Sequence, residues 1–103
     1  MSVVHETKVA KFEPGRLLAT PGALEALKES SQEPRFFLWL HLHGDWGDLS
    51  DHDKAANDAA LIDGTRILST YRTLLGVKLW IITEAADDQG RRPATTILLP
   101  EEY

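Results

Sequence analysis

The sequence predicts an α+β domain in which two or three N-terminal helices pack on one face of a small antiparallel sheet. Two observations carry this expectation. Up to Gly64 the chain shows helix-start signals and apolar residues three or four apart. Beyond Gly64 the period changes to two, in "RILSTYR", "VKLWIITEA" and "ATTILLP", all rich in β-branched and aromatic residues. A helix-rich half followed by a strand-rich half is the α+β pattern. At 103 residues the chain is a single domain, 1–103, able to bury one core.

Taken in order, residues 1–12 alternate loosely and suggest an edge strand or a mobile arm. "EPG" at Glu13 to Gly15 makes a turn, and "RLLAT" reads as a short N-terminal strand. Thr20 followed by Pro21 is a helix start, with Thr20 as N-cap and Pro21 in the first turn. Leu24 and Leu27, flanked by Ala23 and Ala26, give this helix an apolar side. "PRFFLWLHLH" is apolar nearly all round. The Pro34 start and the Gly44 stop favour a second helix over a buried strand. Ser50 with Asp53 three residues on resembles a capping box and opens a third helix, "DHDKAANDAALID". Its apolar side is expected at Ala55, Ala59 and Ile62, and Gly64 occupies the C-terminal cap position. "TLLG" then joins the first two strands as a tight hairpin, and "ADDQGRRP" joins the second pair through a longer polar loop.

The hydrophobic fraction of 43% and charged fraction of 26% belong to a globular chain. No cysteine is present, which excludes disulfides and thiolate zinc sites and points to the cytoplasm. No apolar run approaches the roughly 20 residues of a spanning helix, so no membrane association is expected. Sixteen acidic against eleven basic residues give a net charge of −5. That balance disfavours direct binding to a nucleic-acid backbone and suits a basic protein surface.

Chemistry-bearing residues concentrate in "HLHGDWGDLSDHD", His41 to Asp53. As a metal site the stretch is poor. "HLHGDW" approaches the H-x-H-x-D-H motif of metallo-β-lactamase-like hydrolases, yet Trp46 occupies the last histidine position. A calcium loop fails too, because oxygen ligands do not fall at alternate positions. No metal or cofactor is therefore expected. A structural account covers most of the stretch: Asp51 and Asp53 meet the positive end of the third helix, and His41 and His43 the negative end of the second. Trp46 is left as either a core plug or a recognition anchor. On the sheet, Ser69 and Tyr71 share one side and Thr70 and Arg72 the other, with Arg72 expected to pair with Glu84.

"GDWGDL", the "DKAANDAAL…G" helix, "ILSTYRT", "LWIITEA" and the ending "ATTILLPEEY" together resemble a group of short plasmid-related bacterial proteins, encoded mainly on plasmids and integrative elements. The resemblance covers about residues 16–103. It implies no particular activity, cofactor or catalytic residue. His41 matches a histidine of the group's pattern, whereas His43 does not, and "DDQGRR" looks like an expanded loop without a core function. The genomic setting implies an accessory role, such as countering host defence.

The expected function is a small acidic protein-binding module or inhibitor, with Asp45, Trp46, Asp48, Asp51 and Asp53 as its binding residues. The rival is a small hydrolase or nuclease using His41 as base or ligand with Asp45 and Glu84 as carboxylates. A third expectation is a homodimer formed through an uncovered sheet face or the edge of "ATTILLP".

Overall fold

The computed structural model describes residues 9–103. The elements run β1 (Arg16–Ala19), α1 (Pro21–Glu29), α2 (Pro34–Leu42), α3 (Asp51–Asp63), β2 (Ile67–Arg72), β3 (Lys78–Thr83), β4 (Ala94–Leu98) and a 3-10 turn at Pro100–Glu102. The fold is α+β, with the helices in the N-terminal half as predicted. Of the stretch 1–12, residues 1–8 lie outside the described residues, and residues 9–12 form no strand.

The sheet order is β1-β4-β3-β2. β2, β3 and β4 form the expected antiparallel meander, but β1 adds to β4 in parallel, with Leu17 opposite Thr95 and Ala19 opposite Ile97, so the sheet is mixed rather than the antiparallel one expected. A parallel neighbour needs a long crossover, and the three helices with β2 and β3 supply it. β4 thus has a strand on each side. The edge of "ATTILLP" expected to serve a homodimer is inside the sheet.

Local signals set the helix ends. Thr20 Oγ1 accepts from the Ala23 N–H at 3.2 Å, and Ser50 Oγ from the Asp53 N–H at 3.1 Å. Gly64, at φ 77°, closes α3 with its N–H on the Ala60 carbonyl at 2.9 Å. The C-terminus is stapled back onto α1. The Glu102 carboxylate accepts from Thr20 Oγ1 at 2.5 Å, the Leu99 N–H at 2.8 Å and the Gly22 N–H at 3.2 Å. These bonds, the one from Thr20 foremost, hold the carboxyl below its usual pKa.

Strand alternation puts Tyr71, Leu79, Ile81 and Ile97 on the helix side, where Ala23, Leu27 and Phe37 close the main core. A second cluster joins Trp46, Ala60 and Ile67, with Phe12, Leu49 and Leu61 packed around it. On the outer face Tyr103 meets Trp80 edge-on at 5.7 Å and accepts a hydrogen bond from Arg66 Nη1 at 2.5 Å.

Two expectations are corrected here. The inward side of α3 carries Asn57 and Ala60, whereas Ile62 is 88% exposed. The helix is turned by its polar contacts with the sheet rather than by its alanines. The register pairs Arg72 with Lys78 and Ile67 with Thr83. Arg72 and Glu84 therefore lie at opposite ends of the β2–β3 ladder and do not pair; Arg72 Nη1 donates to the Gly76 carbonyl at 3.3 Å.

Candidate functional site: the His41 junction, the Gly-Asp-Trp-Gly turn and the outer face of α2

His41 follows Phe37 by four residues, so both project from the buried side of α2. Its ring reaches the sheet where Ser69 of β2, Thr83 of β3 and Thr95 of β4 share the helix-facing side; all four residues are fully buried. Ser69 Oγ lies 2.6 Å from Nδ1 and Thr83 Oγ1 lies 2.8 Å from Nε2. Thr83 Oγ1 is in turn 2.7 Å from Thr95 Oγ1, which donates to the Pro14 carbonyl at 2.7 Å.

A carbonyl only accepts, and that fixes the direction of the whole chain of bonds. Thr95 spends its proton on Pro14, so Thr83 must donate to Thr95. His41 Nε2–H then donates to Thr83, and the bare Nδ1 accepts from Ser69. The ring is neutral, with the proton on Nε2. Burial first, and then the charge of Arg92, lowers its pKa to about 3. His41 is therefore not the partly charged helix-end imidazole expected from the sequence.

A serine on a histidine invites comparison with a catalytic dyad, but the chemistry does not match. An orienting carboxylate is replaced by Thr83, and an imidazole with so low a pKa is a weak base at neutral pH. Neither Ser69 nor His41 exposes any surface to a substrate. The arrangement ties α2 to three strands and to Pro14, two residues before β1.

The turn after α2 is built around backbone contacts. Asp45 Oδ1 accepts from the Gly47 N–H at 3.0 Å, and the Tyr71 hydroxyl donates to the Asp45 carbonyl. Burial, foremost, raises the Tyr71 pKa, which keeps the phenol a donor. Trp46 turns inward, 4% exposed. Its Nε1–H donates to Asp58 Oδ1 on α3 at 2.9 Å, and its ring stacks on Phe12 at 6.3 Å and meets His41 edge-on at 6.0 Å. Trp46 is a core plug in this structure and offers no ring to a partner.

Gly47 lies against β2. The Thr70 N–H donates to the Trp46 carbonyl at 3.2 Å, and the Asp48 N–H donates to the Thr70 carbonyl at 2.7 Å. Two residues earlier, Asn57 acts as a substitute strand: its Nδ2 donates to the Leu68 carbonyl at 2.7 Å and its Oδ1 accepts from the Leu68 N–H at 3.2 Å. Together they satisfy the outward backbone groups of Leu68 and Thr70 on the edge strand β2.

The other predicted residues fall elsewhere. Asp48, Asp51 and Asp53 are exposed at and before the start of α3. Glu84 is exposed just past β3, and its carboxylate takes no part in the His41 bonds. Its carbonyl accepts from Arg92 Nη1 at 3.0 Å. Arg92, 9% exposed, also donates to the carbonyls of Thr65 at 2.8 Å and Ala60 at 2.9 Å. It thereby neutralises the carbonyl end of α3, a structural role for the last arginine of the "DDQGRR" loop. Among the described residues no three His, Asp or Glu side chains cluster so as to hold a metal, and no helix is long and apolar enough to cross a membrane.

The outer side of α2 is different in kind. Phe36 and Trp39 are 55% and 50% exposed, and Trp39 stacks on His43 at 4.0 Å. With Gln32, Glu33 and Arg35 they line an open groove of about 600 Å³. Gln32 Oε1 also accepts from the Leu74 N–H at 2.8 Å, which brings the hairpin tip, with Leu74 and Leu75 exposed, to the groove wall. Compared with family models, curated proteins and solved structures, the chain matches none. Its functional reading rests on this geometry.

The His41 junction makes stability depend on pH. Folded His41 has a pKa of about 3 against 6.5 unfolded, so between these values the unfolded chain binds the extra proton. The contribution is fully present above pH 6.5 and is lost as pH falls toward 3. His41→Gln keeps an acceptor and a donor but cannot titrate. Relative to that variant, the wild type is expected to lose up to about 1.4 kcal/mol per pH unit below pH ~6 in urea unfolding. Parallel curves for the two proteins would refute it.

Proposed function

We propose that this chain is a small acidic protein-binding module, an accessory protein of bacterial mobile elements that works by occupying a partner rather than by bond chemistry. The observation that supports this most is the pair Phe36 and Trp39, half exposed side by side over an apolar groove. Exposed apolar patches mark association surfaces, and tryptophan is prominent among residues that dominate binding energy. The anchoring role expected of Trp46 thus moves to Trp39, one α2 turn before His43. The exposed Asp45, Asp48, Asp51 and Asp53 follow the end of that helix and favour approach of a basic surface.

The test is affinity capture of the tagged protein from a bacterial host carrying the element. Wild type is expected to retain a stoichiometric protein partner, with retention falling as salt rises. Trp39→Lys is expected to lose it while keeping the wild-type circular dichroism. Retention unchanged both by Trp39→Lys and by Asp→Asn at all four aspartates would overturn the reading.

A further inference from the structure

We infer that the surface seated on the α2 aromatic face is a second copy of this chain, in a two-fold dimer with antiparallel α2 helices; this rests on the association reading above. Phe36, Trp39 and His43 stand three and four apart and form one stripe along α2, opposite the buried Phe37 and His41. A two-fold axis between Phe36 and Trp39 brings Phe36 of each copy onto Trp39 of the other. The stripe is its own complement, as an isologous contact requires. Each Trp39 ring then faces the groove beside the other copy's Phe36.

Charge and area agree with this occupant. The net charge of −5 would oppose self-association if unpaired acids lay on the patch, but among the described residues that line the groove Glu33 is the one acid. The charged pair at the groove is Glu33 with Arg35 at 2.6 Å, which cancels itself. Asp45 and the aspartates after it follow the C-terminal end of α2, so antiparallel pairing sets the two acidic loops at opposite ends of the contact. Phe36, Trp39, Leu74 and Leu75, at 55%, 50%, 79% and 64% exposure, present on the order of 500 Å² of apolar surface per copy. Covering it on both copies removes about 1,000 Å² from solvent, the lower limit for a specific interface. The dimer is therefore weak and concentration-dependent.

Sedimentation equilibrium of the full chain tests this at about 5 and about 200 μM, a range that brackets a weak interface of this size. Wild type is expected to move from monomer toward twice the monomer mass, while Trp39→Lys and Phe36→Asp remain monomeric at both concentrations. Binding of the apolar dye anilinonaphthalene sulfonate at low concentration distinguishes a missing dimer from a missing association surface. A wild type that stays monomeric but binds more dye than Trp39→Lys overturns the dimer and leaves the association reading standing. A monomeric wild type that binds no more dye than Trp39→Lys overturns both. A dimer that survives both substitutions places the contact elsewhere and overturns the inference.

Discussion

Gly47→Ala is expected to destabilise the protein by about 3–5 kcal/mol, far more than one added methyl costs elsewhere. Gly47 has φ 77°, and a Cβ built there would lie 1.9 Å from the Thr70 carbonyl oxygen. No side chain can yield, because the obstacle is the backbone of β2. Relief requires the turn to retreat, which breaks the hydrogen bonds between Thr70 and the Trp46 and Asp48 backbone. Gly90→Ala is the matched control. Its φ of 78° imposes a similar conformational cost, yet nothing lies within 4 Å of the new carbon. Urea unfolding should separate the two by at least about 2 kcal/mol. Equal losses would show that the close approach to β2 is not what Gly47 provides.

Trp46→Ala is expected to cost about 3–5 kcal/mol, whereas Trp39→Ala should cost less than about 1 kcal/mol. The two tryptophans are seven residues apart in the sequence and oppositely placed. Removing Trp46 empties the space between Phe12, His41 and α3 and takes the indole donor from Asp58. Removing Trp39 uncovers one side of His43 and opens a groove that is already solvated. Chemical denaturation of the two variants checks the contrast. If Trp39→Ala were as destabilising as Trp46→Ala, the outer face of α2 would be part of the core and the association reading would lose its basis.

Most of the fold was legible because its signals are local. Thr20-Pro21, Ser50 with Asp53, and Gly64 each act through a backbone contact within four residues, and the structure shows all three. The period-two runs gave three strands in the right order. Less visible was anything set by distant partners. The parallel pairing of β1 with β4 depends on the path of five intervening elements. The orientation of α3 depends on Asn57 meeting Leu68 and Asp58 meeting Trp46. A carboxamide midway along a helix is a weak hint of such a role, since asparagine favours backbone contacts over helix interiors.

The candidate site was legible only in outline. His41 and Trp46 meet edge-on, whereas Asp45 is exposed, its carboxylate on the Gly47 N–H and its carbonyl on Tyr71. The sequence could not announce that Ser69, Thr83 and Thr95 would face one histidine, because strand register decides that. Nor did the apolar character of α2 all round say which aromatics would remain outside. Phe37 and His41, four apart, turned inward, and that alone left Phe36 and Trp39 facing solvent.

His41 is a neutral junction inside the fold, both ring nitrogens committed to sheet hydroxyls. Its imidazole nitrogens can be observed directly by ¹⁵N–¹H correlation spectroscopy over a pH series. His41 is expected to keep a protonated Nε2 and a bare Nδ1 from pH ~7.5 to pH ~5, with no titration in that range. A midpoint near the ordinary histidine value, or a shift of the His41 resonances on adding zinc, would contradict it.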